Sequence, residues 1–195
     1  NRAVAIWNAS PEKVADQLVS FHSDASRVEA IDLMGNYRPL ALHDSILIHK
    51  ISAMPEILLF HNCSPLNDAI TMAEAQIENP AVPGFPADLE LMLFNPFSEK
   101  LPVQLSLNCG KGVLAKLPDR IVLPPGEHRG ITVKVSVTGE KSRQDNSLNL
   151  QIKTPHHSSQ LQVPMKQALL IPAKRQADNW DFLLSYRKQV VPLFD

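Results

Sequence analysis

The stretch from Ile121 to Val137, IVLPPGEHRGITVKVSV, restricts the fold more than any other part of the chain. Pro124 drives Leu123 towards extended geometry, Pro125 presets φ for the second position of a turn, and Gly126 supplies the freedom for a positive φ. The chain has to reverse here. Beyond the corner, Ile131, Val133, Val135 and Val137 alternate with Thr132, Lys134 and Ser136, which is the period of a strand with one face buried and one wet. A helix would scatter these apolar residues around its axis.

The same grammar runs through the rest of the chain. Sixteen prolines against seven glycines oppose long helices and suit short strands joined by stiff corners, so an all-β fold is predicted. With 195 residues, 44% of them hydrophobic, the chain has room for one large or two small domains with a buried core. Its formal net charge of -1, from 19 basic and 20 acidic residues mixed along the sequence, offers no field for phosphate backbones or anionic lipid. No apolar run reaches the roughly 18 residues needed to span a bilayer as a helix, so neither nucleic acid nor membrane is an expected partner and the chain is expected to be soluble. RAVAIW at the start reads as the middle of a strand, and a piece of a longer protein is expected.

Residues 1–60 form a first block of short strands: Ala3 to Trp7, Val14 to Phe21, Val28 to Leu33, Ile46 to Ile51 and Ile57 to Phe60, with turns at Gly35-Asn36 and His43-Asp44-Ser45. Residues 61–76 lose the alternation and are assigned as a linker, in which a helical turn from Asn67 and a strand from near Thr71 are equally compatible with the sequence. Residues 77–165 hold about seven short strands, the signature of an immunoglobulin-like antiparallel sandwich. Leu91, Leu105, Leu107, Val133, Val135, Leu150 and Val163 are its expected core. Residues 166–195 are a tail or the start of a further domain.

The first block, VEAIDLMGNYRPLALHDSILIHKISAMPEILLF, resembles the final hairpins of the β-sandwich that packs beside the catalytic barrel in clan-A-type glycoside hydrolases. The elements that carry the likeness are Asp32 to Asn36, Pro39 to Leu42, Ile46 to Ile51 and Pro55 to Phe60, about a third of the chain. The second block is similar to immunoglobulin-like domains that follow such sandwiches in large secreted proteins, through Asn95-Pro96 and the Leu123 to Glu127 corner. The resemblance implies a non-catalytic accessory region of a secreted, periplasmic or extracellular carbohydrate-active protein, with other domains of the same parent as partners. It transfers no catalytic residues, because the family's carboxylates sit on a barrel that this sequence does not contain.

The residues themselves point the same way. Glycoside hydrolysis needs two carboxyl groups about 5 to 10 Å apart. No spacing selects a pair among Asp32, Glu56, Asp88 and Glu90, and these are expected to be solvated carboxylates or turn caps, Asp32 binding backbone in the Gly35-Asn36 turn. His156 and His157 are expected at an exposed loop tip, since neighbouring histidines in a strand would point to opposite faces. No nucleophile elbow or phosphate loop occurs, and no metal or cofactor is expected. For carbohydrate binding, aromatic rings are the natural platform. Trp180, Tyr186 and Tyr37 are the ligand candidates, while Trp7, in an apolar strand, is assigned to the core. Asn8-Ala9-Ser10 and Asn62-Cys63-Ser64 match glycosylation acceptors. Cys109 is expected as a buried free thiol, with oxidation to Cys63 left open.

Overall fold

A computed structural model describes residues 1–9, 15–81, 85–110, 112–138 and 147–165. The described chain is all-β and sandwich-like, built from fifteen strands in three antiparallel sheets. The first strands are β1 (Arg2–Ile6), β2 (Gln17–His22), β3 (Arg27–Ile31), β4 (Tyr37–Leu40), β5 (Leu42–His43), β6 (Ile46–Ile51), β7 (Glu56–His61) and β8 (Ile70–Ile77). They are followed by β9 (Ala87–Phe94), β10 (Leu101–Asn108), β11 (Val113–Ala115), β12 (Arg120–Leu123), β13 (His128–Val137), β14 (Ser147–Lys153) and β15 (Ser158–Pro164).

One seven-stranded sheet, in the order β11-β13-β9-β8-β2-β6-β5, is the middle layer. A four-stranded sheet, β1-β7-β3-β4, packs on one face of its β2–β6 end, and a second, β12-β10-β14-β15, covers the other face. Two cores result. Val19, Phe21 and Leu47 meet Val28, Leu58 and Phe60 in the smaller one, while Leu18, Ile46 and Ile48 join Leu91, Val135, Leu150 and Val163 in the larger. Successive side chains of a strand point to opposite faces, so β2 and β6 contribute to both cores in turn. Buried on both sides, they read as nearly continuous apolar runs, LVSF and ILIH, rather than as alternations.

The predicted second-block core is observed: Leu91, Leu105, Val133, Val135, Leu150 and Val163 are buried in one cluster, and Leu107 packs partly buried against it. The PPGE corner also forms as read. Glu127 N donates to Pro124 O at 3.2 Å, with Gly126 at φ +69° in the third position of the turn. In the first block the reversal at Asp44-Ser45 places both residues at positive φ, 51° and 63°, between the paired His43 and Ile46.

The segment 61–76 differs from its expected role. Ile70–Ile77 is β8, which pairs with β2 on one side and β9 on the other, so the supposed connector supplies the strand that fuses both blocks into one sheet. Of the two conformations open there, the strand is the one adopted, with a register shift between Leu18 and Val19 that accommodates the extra residue. Trp7 is a second correction: it is 54% exposed rather than in the core. It lies just past the end of β1, where only Ile6 is buried, and shares the outward parity of Ala3 and Ala5. Cys63 and Cys109 are free, each half-buried, the first against the smaller core and the second against the larger. Burial pushes the Cys109 thiol up from its ordinary value.

Candidate interaction face and buried polar groups

The strand register of the small sheet sets out its outer face row by row. Ala5, Ile57, Ile31 and Tyr37 stand side by side across β1, β7, β3 and β4, and Ala3, Leu59, Glu29 and Pro39 form the next row. Their parity is opposite to that of Val28, Ala30, Leu58 and Phe60, which fill the small core, so this face looks outward. At one end of it the chain adds Trp7, Leu33, Met34 and Met54, all more than half exposed, beside Tyr37 at 64% and Ile57 at 44%. At the other end it is closed by charge: Glu29 Oε2 accepts from His61 Nε2 at 2.8 Å and pairs with Arg27 at 3.1 Å.

The turn at the apolar end is fixed by Asp32. Its Oδ1 accepts the backbone N–H groups of Met34 and Asn36, each at 2.9 Å, its Oδ2 accepts the Asn36 side-chain amide at 2.9 Å, and Gly35 sits at φ +80°. These bonds, the side-chain amide of Asn36 first, hold the Asp32 carboxyl below its usual range. The expected turn-cap role is therefore what the structure has. A rigid turn presents Leu33 and Met34 to solvent instead of letting them fold back.

Beneath the same end lies an imidazole–carboxylate pair. His49, 5% exposed in β6, has its Nε2 at 2.7 Å from Glu56 Oε2, and Arg38 Nη2 donates to Glu56 Oε1 at 3.2 Å. Burial holds the His49 imidazole below its ordinary range, with the Glu56 carboxylate acting in the opposite direction. Glu56 thus joins a surface arginine on β4 to a buried histidine on β6, linking the small sheet to the middle one.

A second buried polar group organises the other block. Asn95 is fully buried; its Nδ2 lies 2.7 Å from Glu99 O, 3.0 Å from Leu123 O and 3.1 Å from Pro124 O, and its Oδ1 accepts Phe97 N at 2.9 Å. Its backbone also exchanges bonds with the PPGE corner, through Asn95 N to Glu127 O and Gly126 N to Asn95 O, both 3.1 Å. The two motifs read separately in the sequence are one hydrogen-bonded unit.

Of the ligand candidates, Tyr37 is on the outward face, whereas Trp180 and Tyr186 fall outside the described residues. Glu90 accepts from Gln76 Nε2 at 3.2 Å, Asp88 pairs with Lys134 at 2.7 Å, and neither is brought to Glu56 or Asp32 by the strand pairing. His156 is exposed as expected, but its ring lies in tilted contact with those of Phe97 and His43, and His157 is half-buried. Among the described residues no group of three or more His, Cys, Asp and Glu side chains is arranged to hold a metal ion. His49 and Asn95 were not legible as parts of any site: a lone polar residue beside apolar ones carries no partner in the sequence. Compared with known proteins, the chain matches no family model and no curated sequence.

Proposed function

We propose that the chain is a non-catalytic accessory region of a larger secreted carbohydrate-active protein, whose small sheet packs against another domain of that protein. The observation that carries this reading is the outward face of β1-β7-β3-β4, where Trp7, Leu33, Met34, Tyr37, Met54 and Ile57 gather at one end. Contiguous exposed apolar surface marks interaction sites on soluble domains, and a flat sheet face presents it without a cleft. The strand placement in the second block supports an immunoglobulin-like spacer: β8, β9, β13 and β11 share one sheet as the ABED strands do in that fold, and β10, β14 and β15 follow one another in the other sheet as CFG do, with β12 added beside β10.

A carbohydrate-binding module is the second reading, favoured by Trp7 and Tyr37 on one face. Three strand spacings, ~14 Å, separate the β1 and β4 edges on which they stand, so each ring would serve a different sugar unit. Two measurements on the isolated chain test these readings. Aryl glycosides should show no turnover, and clear hydrolysis would overturn the accessory reading. On a glycan array, no binding is expected; reproducible binding lost in Tyr37→Ala would favour the module instead. A hydrophobic fluorescent dye should report the face directly: Tyr37→Lys with Ile57→Lys lowers dye binding severalfold with unchanged thermal stability.

A further inference from the structure

The hairpin joining β14 to β15 is tied into a rigid tip by Thr154. Thr154 N and Oγ1 donate to His157 O at 2.8 and 3.1 Å, and His157 N donates to Thr154 Oγ1 at 3.0 Å. These bonds set the two imidazoles of the tip in fixed directions. The ring of His156 stands 4.9 Å from that of His43, on the edge strand of the middle sheet, and 4.9 Å from that of Phe97, in the loop between β9 and β10. His157 turns inward, and its Nε2 is buried with no hydrogen-bond partner among the described residues. The hairpin's His156 thus meets His43 of the middle sheet at the β5 edge, with the inward-turned His157 next to it in the chain.

The groups around them are mixed in sign but unevenly placed. Asp44 follows His43 at the β5–β6 turn, Lys153 ends β14, and Lys50 of β6 is held by Asp16 at 3.3 Å and by Gln160 O at 3.4 Å. His49 lies on the opposite face of β6, where Glu56 of β7 engages it and is itself shared with Arg38 of β4. Among the described residues no carboxylate is hydrogen-bonded to His43, His156 or His157. A neutral His157 can carry its proton on Nδ1 and leave only a lone pair at Nε2. A protonated one puts a charged N–H donor there, buried and facing nothing that accepts it.

We propose that this cluster makes the β14–β15 hairpin an acid-sensitive clasp, closed by the packed rings of His43, His156 and Phe97 and released from the β5 edge when His157 is protonated. The release stops at the Lys50–Asp16–Gln160 tie, beyond which β15 stays docked. The direction of titration agrees: burial first, then the neighbouring His49 and His43 charges, hold His157 below the ordinary histidine value of 6.5. A histidine depressed in the folded state favours the closed form above its unfolded value and loses that contribution as pH falls below it.

Amide hydrogen exchange at about pH 7.5 and about pH 5.5, corrected for intrinsic rates, tests the clasp. The amides of Thr154, His157 and His43 should lose about 10-fold protection at the lower pH, while those of β13 keep theirs. In His43→Gln with His157→Gln the loss should vanish. Equal protection at both pH values, a uniform loss across β13, or a loss that persists in the double variant would each overturn the proposal. Because the double variant alters a packed junction, proton NMR of the wild-type imidazoles gives an independent arm: His157 titrating below the free value supports the clasp, and titration at or above it refutes it.

Discussion

Asn95 shows how much a single buried side chain can organise. Its amide satisfies carbonyls from two separate corners, and its own carbonyl oxygen holds the backbone of Phe97, so the β9–β10 loop and the β12–β13 turn are fixed together. Replacing it by alanine leaves several buried backbone groups without partners, each costing about 1 to 3 kcal/mol when unsatisfied. Asn95→Ala is therefore expected to destabilise the fold by about 3 kcal/mol, measured by urea unfolding, and a loss below about 1 kcal/mol would mean that water or the backbone takes over its bonds. Nothing in the string NPF announces this role. An asparagine before proline suggests a turn, and its partners lie as far as 29 residues away.

At the scale of the element, alternation is the readable property, and β13 is its clearest case. Val133 and Val135 are buried in the large core, whereas Lys134 is exposed and pairs with Asp88, its direct neighbour on β9. Val135→Asp places a carboxylate among Leu91, Leu150 and the other aliphatic side chains of that core, at a cost of several kcal/mol out of a total of about 5 to 15 kcal/mol. Lys134→Asp removes a surface pair and sets two carboxylates opposite each other, which costs about 0.5 to 1 kcal/mol. Thermal unfolding of the two variants separates them, and equal losses would mean that the register is wrong. The same parity argument misled at Trp7. RAVAIW alternates no better than LVSF does, but β1 is an edge strand with one uncovered face, while β2 is covered on both. An apolar run states that a strand can be buried, and its neighbours decide whether it is.

At the scale of the molecule, the shared strands make the two cores one cooperative unit. Val19 and Phe21 belong to the small core and Leu18 to the large, so β2 cannot leave one without leaving the other, and β6 has the same constraint through Leu47 and Ile48. Phe60→Ala, in the small core alone, should cost about 3 to 5 kcal/mol and shift one calorimetric transition to lower temperature. Two resolved transitions, with the second unmoved, would show instead that the blocks unfold separately.

The sequence by itself determined the strands that have a wet face and a dry one, together with the corners whose geometry depends on their own residues. That covers β13, the Val103 to Leu107 alternation, the PPGE turn, the Asp32 cap and the second-block core, because side-chain parity and turn φ values are local properties. Only the tertiary structure decided that 70–77 pairs across both blocks, that Trp7 faces outward, and that Asn95 and the PPGE corner are one unit. The meeting of His43 with His156, 113 residues later in the chain, belongs with these. Each depends on which surface comes to lie against which, and strand pairing and sheet stacking join residues whose separation along the chain leaves no trace in their local pattern.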